Sequence, residues 1–202
     1  MKVEILGVAH PRTGTAFTSK LCQLWGLDVG HEKAGKDGLV SWMLSKPHGP
    51  YPWNPEYENR PEYNHLIYNV RNPLDSLPSI IWTEDGRPTS LNFRKHWLKF
   101  SDSHKIERAI DSLIGFHENI MELNPNVVYK VETEQKKLFD YLSQHYDITY
   151  VQHNVKENSR QSAERRMPGL QELIKRFGVP SQNHMNRLNN LCVELGYNKA
   201  FK

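Results

Sequence analysis

The most constraining stretch of this chain is Val3 to Gly26, VEILGVAHPRTGTAFTSKLCQLWG. It opens on a short apolar run, Val3 to Val8, that reads as a buried strand. It then passes through a tight loop, His10-Pro11-Arg12-Thr13-Gly14-Thr15, and continues as an amphipathic helix. Phe17, Leu21, Leu24 and Trp25 fall on one helical face, and Gly26 stands where a residue with positive φ ends a helix. A strand, a glycine-containing loop and a helix N-terminus together make an anion site, because N–H groups there lack intrahelical partners and the helix dipole adds positive charge. Arg12 brings a fork of donors, Thr13 and Thr15 bring hydroxyls, and Gly14 lets an anion approach the backbone. The nucleotide-triphosphate loop needs Gly, four residues, then Gly-Lys-Ser/Thr. Here Thr15 follows Gly14, no lysine comes next, and Gly7 lies too far back. Taken alone, the stretch fits an ordinary strand-to-helix turn with a surface arginine as well as it fits a phosphate-like site.

The rest of the chain alternates strand and helix signals. Leu27 to Val29 reads as a second strand leading into Gly30-His31-Glu32, followed by a polar loop and an apolar piece, Leu39 to Leu44, expected to be helical. From Lys46 to Pro61, prolines 47, 50, 52, 55 and 61 forbid a regular element. That segment is expected to be a lid, or a loop anchored to the core by its aromatics. His65 to Val70 is a buried strand ending in Arg71-Asn72-Pro73, with helices expected over Leu74–Thr83 and Thr89–Phe100. Ser103 can cap a helix whose stripe runs Ile106, Ile110, Leu113, Ile114, Ile120 and Met121. Asn126–Val131 is a strand, Thr133–His145 a helix, Asp147–Val151 a fifth strand, and Leu170–Phe177 and Pro180–Leu195 are closing helices.

This alternation predicts an α/β domain with a parallel sheet and right-handed crossovers, spanning residues 1–202 as one domain. Ligands of such sheets bind beyond the carboxyl ends of the strands. That rule gathers His10 to Thr15, His31-Glu32 and Arg71 onto one edge.

Net charge narrows the partners. At +3, with 26 basic against 23 acidic residues, the chain lacks the excess of a dedicated nucleic-acid binder but has room for a local basic pocket. Cys22 and Cys192 lack metal spacing and read as free thiols in a reducing compartment. The ten histidines show no close-spaced ligand pattern, so no metal is expected. No charged-then-apolar leader opens the chain and no run approaches membrane-spanning length, so a cytoplasmic protein is expected.

Two motifs together resemble the sulfotransferase family, whose members use 3′-phosphoadenosine-5′-phosphosulfate (PAPS). The loop His10 to Thr15 looks like the family's 5′-phosphosulfate loop. Val70-Arg71-Asn72-Pro73-Leu74-Asp75-Ser76-Leu77-Pro78-Ser79 looks like its 3′-phosphate motif, in which the arginine and the later serine hold that phosphate. The resemblance is clear over residues 3–82 and looser to about 151. It implies a three-layer α/β/α fold of the phosphate-loop nucleotide-hydrolase-like kind. It further implies PAPS contacts from Arg12, Thr13, Gly14, Thr15, Ala16, Arg71 and Ser79, and a small-molecule or glycan acceptor. Gly30-His31-Glu32 sits where related sulfotransferases place a catalytic glutamate. Glu32 is thus the first choice as general base, His31 the second, and Arg12 would stabilise the transferred group. The family's further PAPS-contacting segment could be served by Asn158-Ser159-Arg160 or by Arg165-Arg166, and a solvated basic loop fits those residues equally. Trp42, His48, Tyr51, Trp53 and Tyr57 could line an acceptor pocket or anchor their loop. A phosphate-loop small-molecule kinase and a non-catalytic nucleotide-binding module remain as rivals.

Overall fold

Every second residue of Lys2–Val8 (β1) would alternate in a half-exposed strand, yet Ile5, Leu6 and Val8 are all fully buried. That pattern belongs to a central strand of a parallel sheet covered on both faces. The structure, a computed structural model, describes residues 2–46, 48–52, 54–86, 88–101, 104–153 and 168–201, with only the backbone at 85, 86, 88 and 89. Trp53, Ser103, Asn158-Ser159-Arg160 and Arg165-Arg166 lie outside the described residues.

The sheet contains β1, Val29–His31 (β2), Gly38–Val40 (β3), Glu62–Val70 (β4) and Val127–Lys130 (β5) in the order β2-β3-β1-β4-β5. All four pairings are parallel. The helices are Thr15–Leu24 (α1), Pro73–Gly86 (α2), Pro88–Lys95 (α3), Lys105–Met121 (α4), Gln135–Leu142 (α5), Leu170–Phe177 (α6) and Gln182–Glu194 (α7). The chain is therefore an α/β protein with an all-parallel central sheet flanked by helices, as the alternation of elements predicts.

The chain divides into two compact units. The first comprises Met1–Arg71 and Asn119–Ser159, the second Asn72–Glu118 and Arg160–Lys202. In the first unit, Leu21, Cys22 and Trp25 at the α1 end and Leu138 and Leu142 of α5 pack on Ile5, Val29, Val40, Ile67, Val127 and Tyr129 of the sheet. Polar groups beneath α1 are matched: the hydroxyls of Thr18 and Tyr129 lie 2.7 Å apart, and the Ser19 hydroxyl donates to Val29 O at 2.7 Å. In the second unit, Leu77, Ile80 and Ile81 of α2 pack with the Ile106–Ile110–Leu113–Ile114 stripe of α4, with Leu173 of α6 and with Leu188 and Leu191 of α7. A buried ionic group accompanies this core: Glu84 accepts from Arg94 at 2.7 Å and from Arg108 at 2.9 Å, and Arg94 also donates to Ser112.

Three expectations are corrected. Leu39 to Leu44 is not helical: Gly38–Val40 is a sheet strand and Met43–Ser45 a single 3₁₀ turn. The apolar run LVSWML is too short for its period to distinguish buried strand from buried helix, and pairing with β1 decides. Asp147 to Val151 forms no strand. The segment serves as cover instead, the Tyr150 ring packing against Trp25 and Phe139 while the Val151 carbonyl accepts from the Trp25 indole at 2.9 Å. The second strand runs Val29–His31 rather than Leu27–Val29, which carries His31 into the sheet itself.

Candidate functional site

The carboxyl ends of β1, β2, β3 and β4 bring the predicted residues of the first unit to one edge. The loop after β1 is fixed by its own backbone and by β4. Thr13 donates from both its N–H and its hydroxyl to His10 O, at 3.2 and 2.7 Å. Asn69 Nδ2, buried at the end of β4, donates to Thr13 O at 2.9 Å, and Arg71 donates to Arg12 O at 3.4 Å. Gly14 takes φ 105°, and a Cβ there would stand 3.0 Å from Val131 Cγ1. The first bond of the α1 ladder is Thr18 N–H to Gly14 O at 2.9 Å, so the N–H groups of Gly14 to Phe17 precede it without an intrahelical acceptor. No acidic side chain occupies the first turn of α1 and no side chain caps it, which leaves its positive end open to an anion.

Backbone strain marks the same place. Among the described residues, three non-glycines have positive φ, and two of them are Arg12 at 81° and Glu32 at 60°. Such conformations cost of order 1–3 kcal/mol each and persist where surroundings enforce them, commonly at functional sites. At Glu32 the enforcement is visible. Its N–H donates to Val40 O at 2.9 Å, and its Oε2 accepts from the Ser41 hydroxyl at 2.6 Å.

His31 links the carboxylate to the loop. Its Nε2 lies 3.1 Å from Thr15 Oγ1 and 3.5 Å from Glu32 Oε1. Glu32 Oε1 is buried and makes no hydrogen bond, and that ion-pair distance is too long to count as one. Burial raises the Glu32 pKa to about 7, against the lowering effects of the Ser41 hydroxyl and the Trp42 backbone N–H. Burial of the inner ring edge also lowers the pKa of His31, although its side chain is 36% exposed against 20% for Glu32. Both shifts favour the uncharged forms, a neutral imidazole beside a carboxyl whose titration is moved towards neutrality. A carboxyl so tuned does not repel an anion at the loop when protonated and accepts a proton when ionised.

A phosphate-like group fits this donor set of two arginines, a glycine-lined loop, hydroxyls and free amides, and the Glu32 carboxyl beside it has its pKa pushed up to about 7. Ala16 is the second residue of α1, with its N–H in that free set. Ser79 belongs to the second unit, buried on α2, where its carbonyl accepts from Thr83 Oγ1 at 2.7 Å. Trp42, Tyr51 and Tyr57 are buried, and Tyr51 of the proline-rich loop donates to Lys46 O at 2.9 Å. His48 is exposed and paired with Asn59. Among the described residues, no group of three His, Cys, Asp or Glu side chains could hold a metal ion, and no helix is long and apolar enough to cross a membrane.

Sequence reasoning missed Ser41, Asn69 and Val131. Nothing in their spacing singles them out, because each matters only through the strand end it occupies. A buried polar residue closing an apolar strand, as Asn69 does in LIYNV, is the one signal that could have found any of them.

No family model matches this chain, and no curated protein matches it. Among solved structures, the crystal structure of mouse sulfotransferase SULT7A1 complexed with PAP is similar with a TM-score of 0.37 and 15% identity, over 70% of this chain and 57% of that one. The chain thus spans well under two thirds of that protein's length, and a likeness this shallow carries no residue across.

Proposed function

We propose that this protein is a PAPS-dependent sulfotransferase that moves a sulfuryl group to a hydroxyl or amine of a small-molecule or glycan acceptor. The observation that carries the reading is the joining of an open helix N-terminus to a tuned carboxyl, through Thr15 and His31, at one sheet edge. The sequence motifs around Arg12 and Arg71 support the choice of cofactor.

In this reading the amides of Gly14 to Phe17, the Thr13 and Thr15 hydroxyls and the Arg12 side chain hold the 5′-phosphosulfate. Arg71 holds the 3′-phosphate, and Ser79 is assigned to it by the sequence motif alone. Bound PAPS would supply an activated sulfuryl group with a bisphosphate as leaving group. Arg12 and the loop amides stabilise negative charge where it develops, which is the main task in group transfer of this kind. Ionised Glu32 takes the acceptor's proton, with His31 beside it as the second candidate. A positioned base of this type contributes about 10²–10⁴-fold.

The test is transfer of label from radioactive PAPS to a panel of hydroxyl and amine acceptors. Glu32→Gln should bind PAPS as tightly as wild type and lose at least about a hundredfold in turnover. If wild type and Glu32→Gln behave alike in every assay, the protein is a binding module and the reading is wrong. Turnover of ATP with magnesium instead would identify a kinase.

A further inference from the structure

The second anchor of Glu32 comes from a residue that no motif singles out. Ser41 closes β3, and its N–H continues the ladder to Gly7 O at 2.9 Å. Its side chain is fully buried, and its hydroxyl donates to Glu32 Oε2 at 2.6 Å. The next residue, Trp42, adds a backbone N–H to the same carboxylate. Glu32 is thus gripped on one side by the end of β3, while its other oxygen faces His31 Nε2 at 3.5 Å.

The backbone explains why such a grip is needed. At φ 60° Glu32, just past β2, occupies a region that non-glycine residues rarely adopt, and its direction there depends on partners from the neighbouring strand end. The Glu32 N–H bond to Val40 O holds the main chain, and the Ser41 hydroxyl holds the carboxylate. The first anchor is the last residue of β3 and the second is the residue that follows it, so the end of one short strand orients the whole residue.

We propose that Ser41 is a positioning residue for Glu32, its hydroxyl holding the carboxylate in the orientation from which it accepts the acceptor's proton. The inference rests on the reading of Glu32 as the base. His31, at the end of β2, faces the carboxyl at 3.5 Å, and it is the same in wild type and in any Ser41 variant. A change in Glu32 titration on altering Ser41 therefore reports on the hydroxyl. Removing a donor to a carboxylate disfavours its charged form, so the shift has a fixed sign, upward.

The experiment is a carbon-13 NMR titration of the Glu32 carboxyl, assigned with Glu32→Gln, in wild type, Ser41→Ala and Ser41→Thr. Alongside it runs the pH profile of turnover in the same proteins. Wild type should titrate near pH 7, Ser41→Ala about one to two pH units higher, and Ser41→Thr close to wild type. The acidic limb of the pH profile should move with the titration while KM for PAPS stays unchanged. A Ser41→Ala protein with lower thermal stability but an unmoved Glu32 midpoint would show a merely structural serine and overturn the proposal. So would a moved midpoint with an unmoved pH profile. If wild type fails to bind adenosine 3′,5′-bisphosphate, the parent reading falls instead, and the titration still decides whether Ser41 governs Glu32.

Discussion

At the scale of single residues, Glu32 concentrates the cost of the site. Its carboxyl titrates near 7 in the folded chain because burial disfavours its charge, against an ordinary value of 4.5. Between those values the folded chain holds a proton that the unfolded chain has released, so stability falls as pH rises from 4.5 to 7 and stays lower above. Glu32→Gln removes that dependence. Urea unfolding at a series of pH values should show the variant gaining on wild type from pH 4 to pH 8, by up to about 3 kcal/mol. A gap that does not change with pH would contradict the burial of this carboxyl. Arg71 carries a separate prediction. Arg71→Ala should weaken adenosine 3′,5′-bisphosphate by about 10–100-fold and leave adenosine 5′-phosphosulfate, which lacks the 3′-phosphate, nearly unaffected. Equal loss for both ligands would mean that Arg71 serves the loop, through its bond to Arg12 O, and not the 3′-phosphate. The placing of His31, Glu32 and Arg12 at one sheet edge was legible in the sequence because loops and strand ends are local features. Ser41 was not, since its role appears only once Gly38–Val40 is seen to be a strand.

At the scale of elements, the connection from β2 to β3 is the least ordinary part of the fold. Two adjacent parallel strands are usually joined by a long crossover, yet here residues 32–37 suffice. The turn closes on itself: Asp37 N–H donates to Asp28 O at 2.9 Å, Asp28 N–H to Asp37 Oδ2 at 2.7 Å, and Lys36 N–H to Asp28 Oδ2 at 2.8 Å. Close approach of backbones makes glycine obligatory at Gly38, where a Cβ would lie 2.2 Å from Ile5 O of the central strand. Gly38→Ala should therefore cost about 4 kcal/mol or more in urea unfolding. Gly26→Ala, whose Cβ would meet nothing within 4 Å but whose φ is 101°, should cost only about 1–2 kcal/mol. Equal losses at the two positions would show that β3 lies less tightly against β1 than described. The α1, α4, α6 and α7 helices were readable from their apolar stripes. The short β3 was not, because three buried residues show no period. Asp147 to Val151 misled in the opposite sense: Ile148, Thr149, Tyr150 and Val151 favour a strand, but Ile148 packs on the core and Tyr150 covers Trp25 and Phe139 with no ladder extended.

At the scale of the whole molecule, two compact units each carry a core, and the first contains the loop, both arginines, His31, Glu32 and Ser41. The second is held by its helical core and by the Glu84–Arg94–Arg108 group. Glu84→Ala would leave the Arg94 charge buried without its partner, and such a loss costs about 3–5 kcal/mol. Thermal unfolding should register it, and a variant as stable as wild type would show that water or rearrangement satisfies Arg94. The modest net charge of +3 puts the anion-binding burden on local geometry rather than on overall attraction. Under the proposed function, the His10–Thr15 loop holds a 3′,5′-phosphorylated adenosine nucleotide. Calorimetry with adenosine 3′,5′-bisphosphate tests it most directly: wild type should bind, and Arg12→Ala should bind at least about tenfold more weakly while remaining folded. A folded wild-type protein that releases no heat of binding with this ligand, or an Arg12→Ala protein that binds it equally well, would contradict the account.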